Sequence, residues 1–76
     1  MSVEDRVKEV VAEILKVDLD GIKLDQNFTE DLGAQSVQSI ELVAAFEEEF
    51  DIEMDEDDAL AVMTVGGAIE FIQKYL

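Results

Sequence analysis

Apolar residues three and four apart recur in three stretches of this chain, and that period restricts the folds open to it. The first stripe is Val3, Val7, Val10, Val11 and Ile14, helped by Leu15. The second is Val37, Ile40, Val43, Ala44, Phe46 and Phe50. The third is Val65, Ala68, Ile69, Ile72 and Leu76, with Phe71 and Tyr75 beside it. A period near 3.6 suits an α-helix that buries one face, whereas a strand alternates its side chains every second residue. Proline is absent, so no stripe is broken from within.

Local signals place the helix starts. Ser2 predicts an N-cap, with Asp5 three residues on as a box-like partner. Glu4 and Lys8 form a surface pair at i,i+4. The second helix runs from about Ser36 to Phe50, and Gly33 punctuates the loop before it. Asp55 is expected to cap a short third helix through about Val62, whose start crowds Glu56, Asp57 and Asp58 at the positive end of its dipole. Ile52 and Met54 are expected to plug the core, while Ala59, Leu60, Val62 and Met63 face inward or toward a cargo space. Thr64 caps the last helix, where Gly66 and Gly67 suggest close approach of another helix. Residues 17–35 form a long connection, which Ile22, Leu24, Phe28 and Leu32 are expected to anchor. Within it, Asp18-Leu19-Asp20-Gly21 invites comparison with a calcium loop. With Gly21 at the sixth position, Lys16 and Asn27 fall where the first ligand and the bidentate glutamate belong, so that reading fails. A turn with Gly21 at positive φ is expected instead.

Composition excludes several functions. The 76 residues allow one small domain spanning 1–76. Without cysteine or histidine there is no thiol nucleophile, no cysteine metal site and no usual general base near neutral pH. No catalytic or metal-binding role is expected. The four acids at Asp55–Asp58 have no spacing that defines a coordination shell. No apolar run approaches the roughly 20 residues of a membrane span, and no leader-like pattern opens the chain. A cytoplasmic monomer is expected. Twenty acids against five bases give a net charge of −15, and no base lies between Lys23 and Lys74. Nucleic acid is therefore an unsuitable partner, and basic protein surfaces are suitable ones. On the second helix Glu41, Glu47, Glu48 and Glu49 form an acidic face without a counter-charge, and Glu49 is read as merely solvated.

Ser36 stands where the second helix begins, and a serine there has two readings. As an N-cap, its hydroxyl accepts a bond from a free N–H of the first turn. As an attachment point, it would hold a phosphodiester at the positive end of the helix dipole. Ser39, one turn further on, is its rival, with a smaller dipole advantage.

Glu30-Asp31-Leu32-Gly33-Ala34 before Ser36, then Ile40-Glu41-Leu42-Val43 and Phe46-Glu47-Glu48-Glu49-Phe50-Asp51, resemble an acyl carrier protein. The resemblance runs from Val3-Glu4-Asp5-Arg6-Val7 to Ala68-Ile69. It implies an all-α fold of acyl-carrier type, a small four-helix bundle with a long first loop and a short third helix. It implies 4′-phosphopantetheine esterified to Ser36, carrying acyl intermediates as thioesters for fatty acid or polyketide-type synthesis. The implied partners are a phosphopantetheinyl transferase, the acyl cargo, and basic-surfaced acyl-transfer and synthase enzymes. These would dock on Val37, Glu41, Ala44, Glu47 and Glu48. The family motif at the attachment site is Asp-Ser-Leu, and this chain has Gln35-Ser36-Val37 there. The acid that in the family helps the transferase and its metal is replaced by an amide. The alternatives are an armless interaction module of the same fold, which Gln35 and Val37 favour, and a peptidyl carrier, which the acidic second helix disfavours.

Overall fold

The computed structural model describes residues 2–76. Among them are four α-helices: α1 (Val3–Leu15), α2 (Ser36–Phe50), α3 (Glu56–Leu60) and α4 (Val65–Gln73). A short 3-10 turn, Leu19–Gly21, lies in the long first loop. The all-α expectation holds, with α3 ending two residues before Val62. The expected caps form too. The Asp5 N–H donates to Ser2 Oγ at 3.1 Å, Asp58 N–H to Asp55 Oδ1 at 3.0 Å and Gly67 N–H to Thr64 Oγ1 at 3.0 Å.

α1 packs against both α2 and α4, and α2 against α3. The core is built from Val7, Val11 and Leu15 of α1, Leu42, Phe46 and Phe50 of α2, and Val65, Ala68, Ile69 and Ile72 of α4. Met54 is buried and Ile52 packs half-buried against this cluster, as expected. Leu76 lies beyond the end of α4 and is exposed, which corrects its place in the stripe. In α2 the correction is larger. Val37, Ile40 and Ala44 are exposed, and Leu42 takes the buried place. The helix is apolar on more than one side, so periodicity alone did not select the face.

Three of the four expected anchors hold the long loop with their side chains, and the fourth, Leu24, holds it by other means. Ile22 and Phe28 are buried and Leu32 is half-buried, but the Leu24 side chain is 44% exposed. Leu24 holds the loop through its carbonyl, which accepts from Gly66 N–H at 2.8 Å. Phe28 N–H donates to the Met63 carbonyl at 2.9 Å and Val65 N–H to the Gln26 carbonyl at 3.1 Å, flanking an isolated antiparallel bridge between Asn27 and Thr64. A methyl group on Gly66 would sit 3.0 Å from that Leu24 oxygen. The neighbour that glycine admits is thus loop backbone and not a helix. Gly21 does not adopt positive φ; Gly33 does, at 73°. The Leu19–Gly21 turn is closed by Asp18, whose Oδ1 accepts from Asp20 N–H at 3.1 Å.

α1 and α2 both end on a left-handed residue that is not glycine, Lys16 (φ 57°) and Asp51 (φ 54°). The following amides reach back, Val17 to the Ala12 carbonyl and Ile52 to the Glu47 carbonyl, at 3.2 and 3.1 Å. Glycine suits this position better, and an acid at a helix C-terminus faces the negative end of the dipole. Asp51→Gly is expected to raise stability by about 0.5–1 kcal/mol, or roughly 2–8 °C in Tm, in thermal denaturation. An unchanged or lower Tm would show that the aspartate side chain contributes more than its strain costs.

Arg6 supplies a contact the sequence reading missed. Its Nε donates to Glu49 Oε2 at 2.8 Å, and its guanidinium also donates to the Glu49 carbonyl at 2.6 Å. The same guanidinium lies 4.3 Å over the Phe50 ring. Glu49 is therefore engaged and not merely solvated, and the start of α1 is tied to the end of α2.

Candidate functional site

The site is built around the start of α2. Gln35 is the N-cap, in extended conformation (φ −89°, ψ 166°), and Ser36 is the first helical residue. This corrects the capping reading of Ser36. The Gln35 N–H donates to Gln38 Oε1 at 2.9 Å. The Gln35 carbonyl accepts from the Ser39 N–H at 3.0 Å and from the Ser39 hydroxyl at 3.4 Å. Both backbone groups of Gln35 are thus used. Ser36 is exposed, and its hydroxyl has no hydrogen-bond partner among the described residues.

These features fit a phosphodiester on Ser36. The Ser36 and Val37 N–H groups have no partner among the described residues. No acid lies in the first turn of α2, so nothing offsets the positive end of its dipole. Ser39 is half-buried, and its hydroxyl is already turned back to the Gln35 carbonyl. Of the two serines, Ser36 offers the freer oxygen.

Beside this start lies a cavity of about 150 Å³ between α2, α3, α4 and the long loop. Leu42, Phe46, Ala59, Ala68, Phe71 and Ile72 belong to its apolar wall. Exposed Thr29 and Met63 and half-buried Ser39 also line it, and Ser39 lies one turn along α2 from Ser36. Ala59, Leu60, Val62 and Met63, expected to face inward or toward a cargo space, all line it, although Leu60 and Met63 are exposed. A mostly apolar cavity of this size has room for a small apolar group.

The proposed docking residues divide into two sets. Val37, Glu41, Ala44 and Glu48 are exposed at spacings of four, three and four, which places them along one face of α2. Glu47 is half-buried, and its Oε2 accepts from Met54 N–H at 2.8 Å, so it also holds the loop after α2. Ile40, at 56% exposed, and Met63, at 57%, add apolar surface that the docking prediction omitted. Helical periodicity had placed Ile40 inside, and only the packing of α2 reveals it.

A family model described as "Phosphopantetheine attachment site" matches residues 5–72. An acyl carrier protein of Sulfurovum sp. (strain NBC37-1) is 55% identical over 74 residues, covering 97% of this chain and 99% of that protein. Among solved structures, a candidate acyl carrier protein from Mycobacterium tuberculosis superposes with a TM-score of 0.89. It is 30% identical and the match covers 96% of this chain and 97% of that one. A free serine hydroxyl at a helix start, an apolar cavity beside it and likeness over nearly the full length agree: the chain belongs to the acyl carrier proteins, phosphopantetheine-dependent carriers and not catalysts.

Proposed function

We propose that Ser36 is the attachment residue and that the chain, as one carrier unit over residues 1–76, delivers acyl intermediates to enzymes of fatty acid or polyketide-type synthesis. The observation that carries this reading is the unengaged Ser36 hydroxyl, exposed on the first residue of α2 beside two unpartnered N–H groups. In the loading step, catalysed by a phosphopantetheinyl transferase, Ser36 Oγ attacks the phosphorus of coenzyme A that bears pantetheine. The Oγ–P bond forms and the P–O bond of the pyrophosphate breaks. Adenosine 3′,5′-bisphosphate leaves, and the Oγ proton passes to a base of the transferase. The arm supplies the thiol this cysteine-free chain lacks, and with it the capacity to hold acyl groups as thioesters. The first turn of α2 then faces the phosphodiester with two N–H donors. The cavity walls offer apolar contact to a cargo group small enough to enter.

The face formed by Val37, Glu41, Ala44 and Glu48 is the proposed docking surface for the transferase and for basic-surfaced synthase enzymes. The chain works there as a cytoplasmic monomer. Of the α2 acids, Glu41 and Glu48 have no partner among the described residues, whereas Glu47 and Glu49 are engaged. Charge reversal is therefore cleanest at Glu41 and Glu48. Glu41→Lys or Glu48→Lys should slow association with a basic partner roughly three- to tenfold at low salt, mostly in the on-rate. Stopped-flow association across a salt series checks this; a rate unchanged at low salt would move the interface off this face.

Attachment is tested by incubating the chain with coenzyme A and a phosphopantetheinyl transferase, then measuring intact mass and locating the added group by fragmentation. Gain of the arm on Ser36 is expected. A chain that none of several transferases modifies would favour an armless interaction module, the reading that Gln35 and Val37 in place of Asp and Leu support.

A further inference from the structure

Two helix starts compete at this site. Serine is among the strongest N-caps, and glutamine is not among the preferred ones. Left to local preference, α2 would begin with Ser36 as its cap. Its hydroxyl would then accept from the N–H of Gln38 or Ser39, and the attacking oxygen would be folded into the first turn. The observed start is one residue earlier, with Ser36 inside the helix and its hydroxyl released. This start is held by a capping box between Gln35 and Gln38, and its well-formed bond is the one from the Gln35 N–H to Gln38 Oε1 at 2.9 Å. Gln38 is half-buried, and it stands at the third helical position, where a capping-box acceptor belongs.

We propose that Gln38 is a positioning residue for the modification of Ser36: by holding Gln35 as the cap, it keeps the Ser36 hydroxyl unengaged and available to the transferase. The inference rests on the attachment reading above. It concerns the transfer in which the Ser36 Oγ–P bond forms as the P–O bond of coenzyme A breaks. Gln38 touches neither the reacting oxygen nor the phosphorus. It acts through the choice of cap.

The physical consequence is a dissociation between rate and stability. In Gln38→Leu the acceptor is gone and Ser36 takes over the cap, so the helix keeps one cap and loses its free nucleophile. The expected fall in kcat/KM for arm transfer is about tenfold, the effect of a cap preference near 1.4 kcal/mol. Tm should stay within about 3 °C of wild type, because one cap replaces another. Gln38→Glu retains an acceptor at the same place and should be modified at least half as fast as wild type. Hydrogen exchange, read without any transferase, adds an independent signature. The Gln35 amide should be protected in wild type and Gln38→Glu, and unprotected in Gln38→Leu.

The experiment measures transfer kinetics, Tm and Gln35 exchange for the three proteins in parallel. Slow transfer in Gln38→Leu alone, with Tm retained and Gln35 protection lost, supports the proposal. A Gln38→Leu rate within twofold of wild type overturns it. So does Gln38→Glu falling as far as Gln38→Leu, a Tm loss in Gln38→Leu beyond that limit, or Gln35 protection unchanged in Gln38→Leu. Wild type that stays unmodified overturns the attachment reading itself and is thereby distinguished from a failure of Gln38's role alone.

Discussion

Ser36→Ala is expected to remain at the mass of the unmodified chain after exposure to coenzyme A and a transferase, while Ser39→Ala gains the arm like wild type. The two serines lie one helical turn apart but differ in what their hydroxyls do. Ser36 is exposed and free, whereas Ser39 is half-buried and its hydroxyl lies 3.4 Å from the Gln35 carbonyl. The same substitution tests the capping geometry. A Ser→Ala change at a true N-cap costs about 1 kcal/mol, often more. Because Gln35 is the cap, Ser36→Ala should cost less than about 0.5 kcal/mol in denaturant unfolding, within the range of ordinary surface substitutions. An arm gained by Ser36→Ala would overturn the site assignment. A stability loss above about 1 kcal/mol would return Ser36 to the capping role its residue type suggests.

Ile72→Ala is expected to have the largest effect on stability, a loss of about 3–4 kcal/mol. Ile72 is 1% exposed and lines the cavity between α2 and α4. Truncating it removes buried methyl and methylene groups and enlarges a space that is already unfilled, which leaves little for neighbours to collapse onto. A domain of this size has a total stability of roughly 4–11 kcal/mol, so the variant approaches the limit of folding. Thermal unfolding should show a fall of about 12–30 °C. A fall below about 8 °C would mean that the helices close over the gap, as a cavity whose walls can move would allow.

Much of this protein was decided within a few residues of each position. The caps at Ser2, Asp55 and Thr64 depend only on an oxygen and an N–H three residues on, so they could be read from the chain directly. The stripes of α1 and α4 were legible because polar residues occupy much of the rest of each helix. The family, and with it the attachment serine proposed here, was legible because the matching residues run along nearly the whole chain. The buried side of α2 was not legible. Val37, Ile40, Leu42, Val43 and Ala44 surround much of that helix with apolar groups, and only packing against α1 and α3 made Leu42 core and left Val37, Ile40 and Ala44 outside. The same holds for contacts between residues distant in sequence. Arg6 finds Glu49 only when α1 lies beside α2, and Leu24 anchors its loop through a carbonyl, which carries no side-chain signature. The start of α2 lies between these cases. Residue preference favours Ser36 as the cap, but preferences among caps differ by only about 1–2 kcal/mol. A single side-chain bond from the Gln35 N–H to Gln38 is enough to move the start by one residue and free the hydroxyl of Ser36.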